Sequence, residues 1–417
     1  MNCRHCGSPL HLPFLDLGSA PPSNAYLSAT SLHAPELWFP LRLLACTDCW
    51  LVQTEDFAGT DLLNATLFDA DYAYFSSFST SWLAHARRFV ESTASRFQLN
   101  AGSHVVEVAS NDGYLLQYVK ALGIPCLGIE PTSGTANAAR EKGITVIERF
   151  FGAELARELV ADGKAADLTV ANNVLAHVPD INDFVAGFAV LLKPQGVASF
   201  EFPHLLRMVH ENQFDTAYHE HYSYLSLTTV QRIFSANGLR VVDVERLETH
   251  GGSLRVYAQR GDVGLLQTAP AVDELLAEEA AAGVTEPGFY GSFQTRAEQV
   301  KTGLLTFLLD AKSRGLRVAA YGAAAKGNTL LNFAGVRPDL LPYVVDRNPA
   351  KQGKFMPGSR IPIVDEAHLI ANRPDRVLIL PWNLRSEVSE QLRYVRDWGG
   401  KLLTAVPDLQ IGEEGFA

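Results

Sequence analysis

A chain of 417 residues with 47% hydrophobic and 19% charged side chains has the composition of a packed protein, which excludes disorder as its default and leaves room for two to four domains. The formal net charge of −11 argues against a broad nucleic-acid-binding surface, which needs a positive field, but not against a local basic pocket for a phosphorylated ligand. No apolar run approaches the ~20 residues of a membrane helix, and MNCRHCGSPL lacks the basic-then-apolar order of a secretory leader, so the expected compartment is the cytoplasm.

Residues 1–70 read as a small β module with short apolar runs, several prolines and no long helical pattern. It carries Cys3 and Cys6 in CRHC, and Cys46 and Cys49 in CTDC. Two matched Cys-x-x-Cys turns in a reducing compartment point to one tetrahedral zinc ion with all positions filled, hence a structural metal. The alternative is a set of free buried thiols. A fifth cysteine, Cys126, fits a core position in a strand. DADYAYFSSFSTSW (69–82) then leads into a helical pattern, LAHARRFVESTASRF.

From residue 104 short apolar runs alternate with helices. HVVEVAS, PCLGIE, ITVIERF, DLTVANNV and GVASFEF read as buried strands; YLLQYVKALG, GTANAAREKG and NDFVAGFAVLLK read as helices between them. That alternation predicts a parallel sheet covered on both faces. A helix over TTVQRIFSANG follows, and RVVDVERLE with GSLRVYAQR predicts a hairpin added to one side of the sheet. Residues 263–315 read as largely helical, and RVAAYGAAAKGNTLLNF, YVVDRN, RVLILPW and KLLTAV predict a second open α/β unit. The expected domains are 1–70, 71–262 and 263–417.

In VVEVASNDGYLL (105–116) a strand ends, a tight turn with Gly113 follows, and a helix begins. Ligands of open α/β sheets sit at such strand ends. Glu130 in GIEP stands 23 residues after Glu107, at the end of the next strand, where a carboxylate accepts from ribose hydroxyls. A dinucleotide fold would want Gly-x-Gly-x-x-Gly here; instead Asn111 and Asp112 precede a single glycine. An acidic turn repels a pyrophosphate and suits a sulfonium with an ammonium group, which favours S-adenosylmethionine. The candidate contacts are Glu107, Ala109, Asn111, Asp112, Gly113, Glu130, Pro131, Phe151, and Asn172 and Asn173 of VANNVLAHVPD. For Glu107 and Asp112 the competing reading is helix capping and solvation.

AAYGAAAKGNT (319–329) ends a strand and opens a helix whose N–H groups suit a phosphate; it lacks the Walker A spacing. Lys326, Asn328 and Thr329, with Lys351 of DRNPAKQGKF, are candidate sugar-nucleotide contacts. In HGGSLRVY, Ser253 and Arg255 are candidates to face a sugar, while Gly251 and Gly252 fit a hairpin turn.

The stretch YHEHYSYLS (218–226) packs tyrosines, histidines and a glutamate together. It reads as an acid/base centre or a polar loop. A metal site is disfavoured, because His219 and His221 share a face only in an extended segment and lack the helical His-x-x-x-His spacing.

Taken together, the CxxC pairs, DYAYFSS (71–77), EVASNDGYLL (107–116), GIEP (128–131), NNVLAHVPD (172–180), YHEHYSYLS, HGGSLR (250–255) and YGAAAKGNT (321–329) resemble the three-domain nucleotide-sugar C-methyltransferases, those that methylate C-3 of a dTDP-4-keto-deoxysugar in antibiotic biosynthesis. The resemblance spans nearly the whole chain. It implies a zinc-binding module, a class I S-adenosylmethionine methyltransferase domain and a C-terminal Rossmann-like α/β domain that helps hold the sugar nucleotide. It implies His221 as the base that takes the C-3 proton, with Glu220 and Tyr218 orienting it or aiding proton transfer, His177 approaching from the cofactor side, and Tyr72 reaching in from the preceding segment (Tyr74 as alternative). The expected partner is a small dTDP-linked keto sugar, with no nucleic acid or membrane, in a monomer or weak homo-oligomer. An O- or N-methyltransferase, or a zinc-ribbon interaction protein, are the competing functions; few Lys or Arg in residues 1–70 speak against the last.

Overall fold

In the computed structural model of the chain, residues 1–56 and 75–412 are described. Tyr72 and Tyr74 lie outside them. Three sheets organise the protein. The N-terminal strands β1 (Leu12–Ala20), β2 (Phe39–Ala45) and β3 (Val52–Thr54) form an antiparallel meander. Their inward residues, among them Phe14, Leu41, Leu43 and Val52, are fully buried.

The central sheet begins with β4 (Val105–Val108), β5 (Cys126–Ile129), β6 (Val146–Ile147), β7 (Ala166–Asn172) and β8 (Leu192–Pro203), which pair in parallel. The chain then leaves this sheet: β9 (Ser223–Tyr224) pairs antiparallel with β3, as the fourth strand of the N-terminal sheet. Strands β10 (Leu239–Leu247) and β11 (Ser253–Arg260) return as the expected hairpin, β11 lying against β8, so the central order is β10-β11-β8-β7-β4-β5-β6. All five expected parallel strands are present. The helix Ala153–Ala161 was not among the expected ones; its run AELARELVA joins small and large apolar residues, and it buries Ala153, Leu155, Ala156 and Leu159.

The third sheet is built from β12 (Val318–Tyr321), β13 (Val344–Val345), β14 (Ile363–Val364), β15 (Arg376–Ile379), β16 (Lys401–Thr404) and β17 (Gln410–Ile411), in the order β14-β13-β12-β15-β16-β17, parallel except for β17. The Ala325–Ala334 helix follows β12 directly and ends on left-handed Gly335, the conformation glycine adopts at lowest cost after a helix.

The three units share cores. Phe14, Leu41 and Leu43 pack in one cluster with Phe293 and Leu304 of the long Phe293–Ser313 helix and with Leu330 and Leu378 of the third unit. Cys46 and Leu51 pack in another with Phe200 and Phe234 of the central unit. The Pro270–Ala281 helix packs on β10, while Phe293–Ser313 packs on β1 and on Ala325–Ala334. A module of this size has too little apolar surface to be stable alone; here it is the wedge between two larger units. Among the described residues, no helix is long and apolar enough to cross a membrane.

Candidate active site

The zinc ligands are brought together as the sequence implied. The four Sγ atoms of Cys3, Cys6, Cys46 and Cys49 lie within 4.8 Å of one another, with Cys3–Cys49 and Cys6–Cys46 each at 3.5 Å. A Zn–S length of ~2.3 Å places tetrahedral sulfurs ~3.8 Å apart, so the set fits zinc. Backbone N–H groups of Asp48 and Cys49 point at Cys46 Sγ, and Gln53 Nε2 donates to Cys3 Sγ at 3.2 Å. Gln53 also accepts from Arg4 N–H at 2.9 Å, so a fully buried side chain orients the knuckle.

At the carboxyl ends of β4 and β7 the backbone takes up unusual conformations. Ala109, Asn111 and Asn173 have φ of 57°, 49° and 53°, a region that side chains enter at a cost and that concentrates at binding sites. Gly113 has φ +74°, and a Cβ there would lie 2.3 Å from Ile144 Cδ1. Glu130 ties two turns together, its carboxylate accepting from Asn111 N–H at 2.9 Å and Thr132 N–H at 3.0 Å. Pro131 stands between Glu130 and that second donor. Lys142 holds Asp112, with Nζ 3.3 Å from Oδ2. Around these turns Ser110 Oγ, Asp112 Oδ1, Asn172 Oδ1 and Asn173 Oδ1 are buried without a hydrogen-bond partner among the described residues, and the buried Glu107 carboxylate interacts with the Tyr114 hydroxyl. Buried polar atoms are normally satisfied, so this concentration of acceptors marks a ligand that brings donors. The ammonium and ribose hydroxyls of S-adenosylmethionine are donors of that kind. Burial pushes the Glu107 carboxyl well above its usual range, and a cationic ligand would offset that. The Phe151 ring packs edge-on against Phe184 and Phe188, centroids 5.7 and 4.9 Å away.

The second cluster lies where the units meet. His221 Nδ1 stands 2.9 Å from the Thr216 carbonyl oxygen. Nδ1 therefore carries the proton, and Nε2 presents a lone pair. The His177 ring meets that of His221 edge-on with centroids 4.6 Å apart, and the Tyr218 ring lies 3.9 Å away. Burial, and then His177, push His221 well below its ordinary pKa, and burial brings His177 down to about 4. Both shifts favour the neutral imidazole over the imidazolium. Glu220 receives both its hydrogen bonds from one donor, Asn24 Nδ2, at 2.7 and 2.9 Å. Burial raises the Glu220 carboxyl to about 7. His219 points the other way, its Nε2 within 3.3 Å of the Phe39 and Pro40 carbonyls, because residues 219–220 form a turn closed by the His221 N–H on the Tyr218 carbonyl, not an extended segment.

Three family models match the chain in series: a zinc binding domain over residues 3–63, a methyltransferase domain over 82–244 and a C-methyltransferase C-terminal domain over 248–407. The C-methyltransferase NovU of Streptomyces niveus is 33% identical over 409 residues, 98% of this chain and 96% of that protein. The chain belongs to this C-methyltransferase family. A ubiquinone biosynthesis O-methyltransferase of Methylococcus capsulatus is 34% identical over 106 residues, 24% of this chain and 43% of that one. The solved magnesium protoporphyrin IX methyltransferase of Synechocystis PCC 6803 with bound SAH, at 15% identity and a TM-score of 0.35 over 43% of this chain and 83% of that one, adds nothing to the assignment. The C-methyltransferase thus joins a zinc-binding module to an S-adenosylmethionine-dependent methyltransferase domain and a C-terminal α/β domain.

Several expected substrate contacts of the C-methyltransferase have hydrogen-bond partners within its fold. Asn328 donates to the Ser23 carbonyl at 2.5 Å and Thr329 to the Ala217 carbonyl at 2.8 Å, and both are buried. They clamp the Ala325–Ala334 helix against the N-terminal module and the 214–217 turn. Arg255, 6% exposed, pairs with Glu201 at 2.8 Å and Glu245 at 3.0 Å and lies over Phe89. Ser253 Oγ donates to the Thr249 carbonyl. Burial, on the Ala325–Ala334 helix for Asn328 and Thr329 and on β11 for Ser253 and Arg255, favours such local partners. Lys351 Nζ reaches the Ala323 carbonyl at 2.8 Å, and Lys326 stands near the His221 cluster.

The sequence reading missed the N-terminal loop as part of the site. In SNAY, Ser23 meets Asn328, Asn24 meets Glu220, and Tyr26 donates to the Ala323 carbonyl at 2.5 Å. No periodicity or motif flags three scattered polar residues after PP. Also missed were Asp215, His250 and Trp382. His250 sits in a left-handed conformation, φ 57°, with Trp82 edge-on at 5.4 Å; a histidine before Gly-Gly was the available signal.

Proposed function

We propose that this C-methyltransferase methylates C-3 of a dTDP-linked 4-keto-deoxysugar, as a step in antibiotic deoxysugar biosynthesis, with His221 as the base. The observation that carries the reading is the His221 ring itself. Its Nδ1–H is fixed to the Thr216 carbonyl and Nε2 is left for a substrate proton. A carbon nucleophile next to a ketone requires such a base. His221 Nε2 takes the C-3 proton and the C–H electrons form the enolate, whose C-3 would accept the methyl group of bound S-adenosylmethionine as the C–S electrons leave on sulfur, giving the neutral thioether. S-adenosylmethionine supplies that methyl as a sulfonium electrophile. Glu107, Ala109, Asn111, Asp112, Gly113, Glu130, Pro131, Phe151, Asn172 and Asn173 would hold it. Tyr218 and Glu220 keep His221 oriented, and His177 lines the cofactor side. Tyr72 is the tyrosine proposed to reach in from outside the described residues. Lys326 and Lys351 face the sugar nucleotide. The enzyme works as a monomer or weak homo-oligomer in the cytoplasm.

The test pairs mass spectrometry of products from a panel of dTDP-4-keto sugars with α-proton exchange in D2O without methyl donor. Exchange at C-3 and a carbon-bound methyl group are expected. An oxygen- or nitrogen-bound methyl without exchange would sink the enolate reading in favour of hydroxyl or amine methylation.

A further inference from the structure

Lys326, on the first turn of Ala325–Ala334, is an ammonium whose direct contacts are all neutral. Its Nζ lies 3.3 Å from the His250 carbonyl oxygen, 3.2 Å from Asn383 Oδ1 and 4.5 Å from the centre of the Trp382 ring. Among the described residues it makes no ion pair within 4.0 Å. Opposite is Asp215, fully buried, whose Oδ2 accepts from Trp382 Nε1 at 2.8 Å while Oδ1 has no partner. Cation and carboxylate act on each other through space without touching. A desolvated ammonium with only neutral acceptors is costly unless an anion completes it.

The surroundings narrow what that anion is. Asp215 directly precedes Thr216, the residue whose carbonyl holds His221 Nδ1. Thr329, one turn along from Lys326, binds the Ala217 carbonyl, so the helix bearing Lys326 is docked on the turn that orients the proposed base. The Lys326 charge is among those acting on His221. Trp382 is held in place from the other side, since a Cβ on Gly251 would come within 2.5 Å of its ring. A diphosphate would bring its several charges against Asp215. A single oxygen anion would not, and a neighbouring hydroxyl or amine would give Asp215 Oδ1 the donor it lacks.

We propose that Lys326 is a further catalytic residue, which donates to the keto oxygen of the substrate and takes up the charge of the enolate formed when His221 removes the α-proton. The proposal rests on the enolate reading above. No covalent bond forms to the lysine: the C–H electrons become the enolate π bond, the carbonyl π electrons move to oxygen, and the ammonium keeps its protons while hydrogen-bonding that oxygen. Burial lowers the Lys326 pKa to about 8, which makes it a stronger donor. Removing one such donor costs about 10²–10³-fold in rate.

The experiment measures three quantities in the full-length enzyme and in Lys326→Met: α-proton exchange of the keto sugar in D2O, affinity for dTDP, which has the diphosphate but no ketone, and affinity for S-adenosylmethionine with zinc content. The expected result is exchange slowed about 10²–10³-fold, with dTDP and cofactor affinities within about threefold. Exchange within tenfold of wild type overturns the proposal. So does dTDP affinity falling as far as exchange, which would make Lys326 a phosphate contact. Should Lys326→Met lose zinc or cofactor binding, Asp215→Asn decides. It preserves the acceptor for Trp382 but removes the charge that raises the Lys326 pKa, with His221 and His250 the other titratable groups acting in the cluster. The alkaline limb of exchange then moves to lower pH; an unmoved limb overturns the proposal. Absence of exchange in the wild-type enzyme is a separate outcome, which removes the enolate reading itself.

Discussion

The hydroxyl of Thr54, on the last strand of the zinc-binding module, donates a hydrogen bond to the backbone carbonyl of His221. Arg4, next to the zinc ligand Cys3, reaches the Thr54 carbonyl at 2.7 Å and the Tyr222 carbonyl at 3.3 Å. Strand β9, which begins two residues after His221, is part of the module's sheet. The zinc-binding module is thus the frame on which the proposed base hangs. Thr54→Val keeps the shape and loses the hydroxyl. Turnover is expected to fall about 10- to 100-fold, as for small displacements of a catalytic group, with S-adenosylmethionine affinity unchanged and activity restored by Thr54→Ser. Steady-state kinetics with calorimetric cofactor binding checks this.

His221→Asn retains a polar side chain and removes the base. Turnover should drop about 10²–10⁴-fold, while zinc content, cofactor affinity and melting temperature stay near wild type. Turnover close to wild type would show that another group takes the proton.

Replacing Cys46 with Ser, or stripping the metal with a chelator, opens the knuckle and releases β3 and β9 together. Loss of zinc by elemental analysis should coincide with loss of turnover and a lower melting temperature, because metal binding and folding are one equilibrium in such modules. The core shared with the Phe293–Ser313 helix extends the destabilisation into the third unit, readable as faster hydrogen exchange there.

The Glu220 pKa is raised from 4.5 to about 7 by burial. A group bound more tightly to its proton in the folded state contributes stability that is complete below pH 4.5 and is lost as pH rises through 7. Glu220→Gln removes that loss. The difference in unfolding free energy between variant and wild type is therefore expected to grow in favour of the variant between pH 5 and pH 8, by up to ~3 kcal/mol at 1.36 kcal/mol per pKa unit. Denaturant titrations at the two pH values measure it; a constant difference would mean that Glu220 ionises as it does in the unfolded chain.

Gly113→Ala puts a Cβ on a left-handed residue, against Ile144 and Ala139. The turn must shift, at a cost of about 1–2 kcal/mol. S-adenosylmethionine affinity should weaken about tenfold, with the zinc-binding module unaffected, as calorimetry and zinc content would report.

The sequence by itself determined those features whose signal is local. The Cys-x-x-Cys pairs specify a metal because ligand spacing within a turn is a property of a few residues. The apolar runs from HVVEVAS to GVASFEF specify a parallel sheet because strands buried on both faces need no alternation. The turn after β4 identifies itself by its single glycine and acidic neighbour. Only the tertiary structure decided which polar residues meet. Nothing in SNAY announces that Asn24 will hold Glu220, nor in TTVQRIFSANG that the strand before it will cross into the zinc sheet. Lys326 and Asp215 are 111 residues apart in the chain, and their relation to Trp382 exists only because the third unit docks on the turn before His221. Burial also gave Asn328, Thr329, Ser253 and Arg255 partners inside the fold, and those partners are chosen by packing across the whole chain.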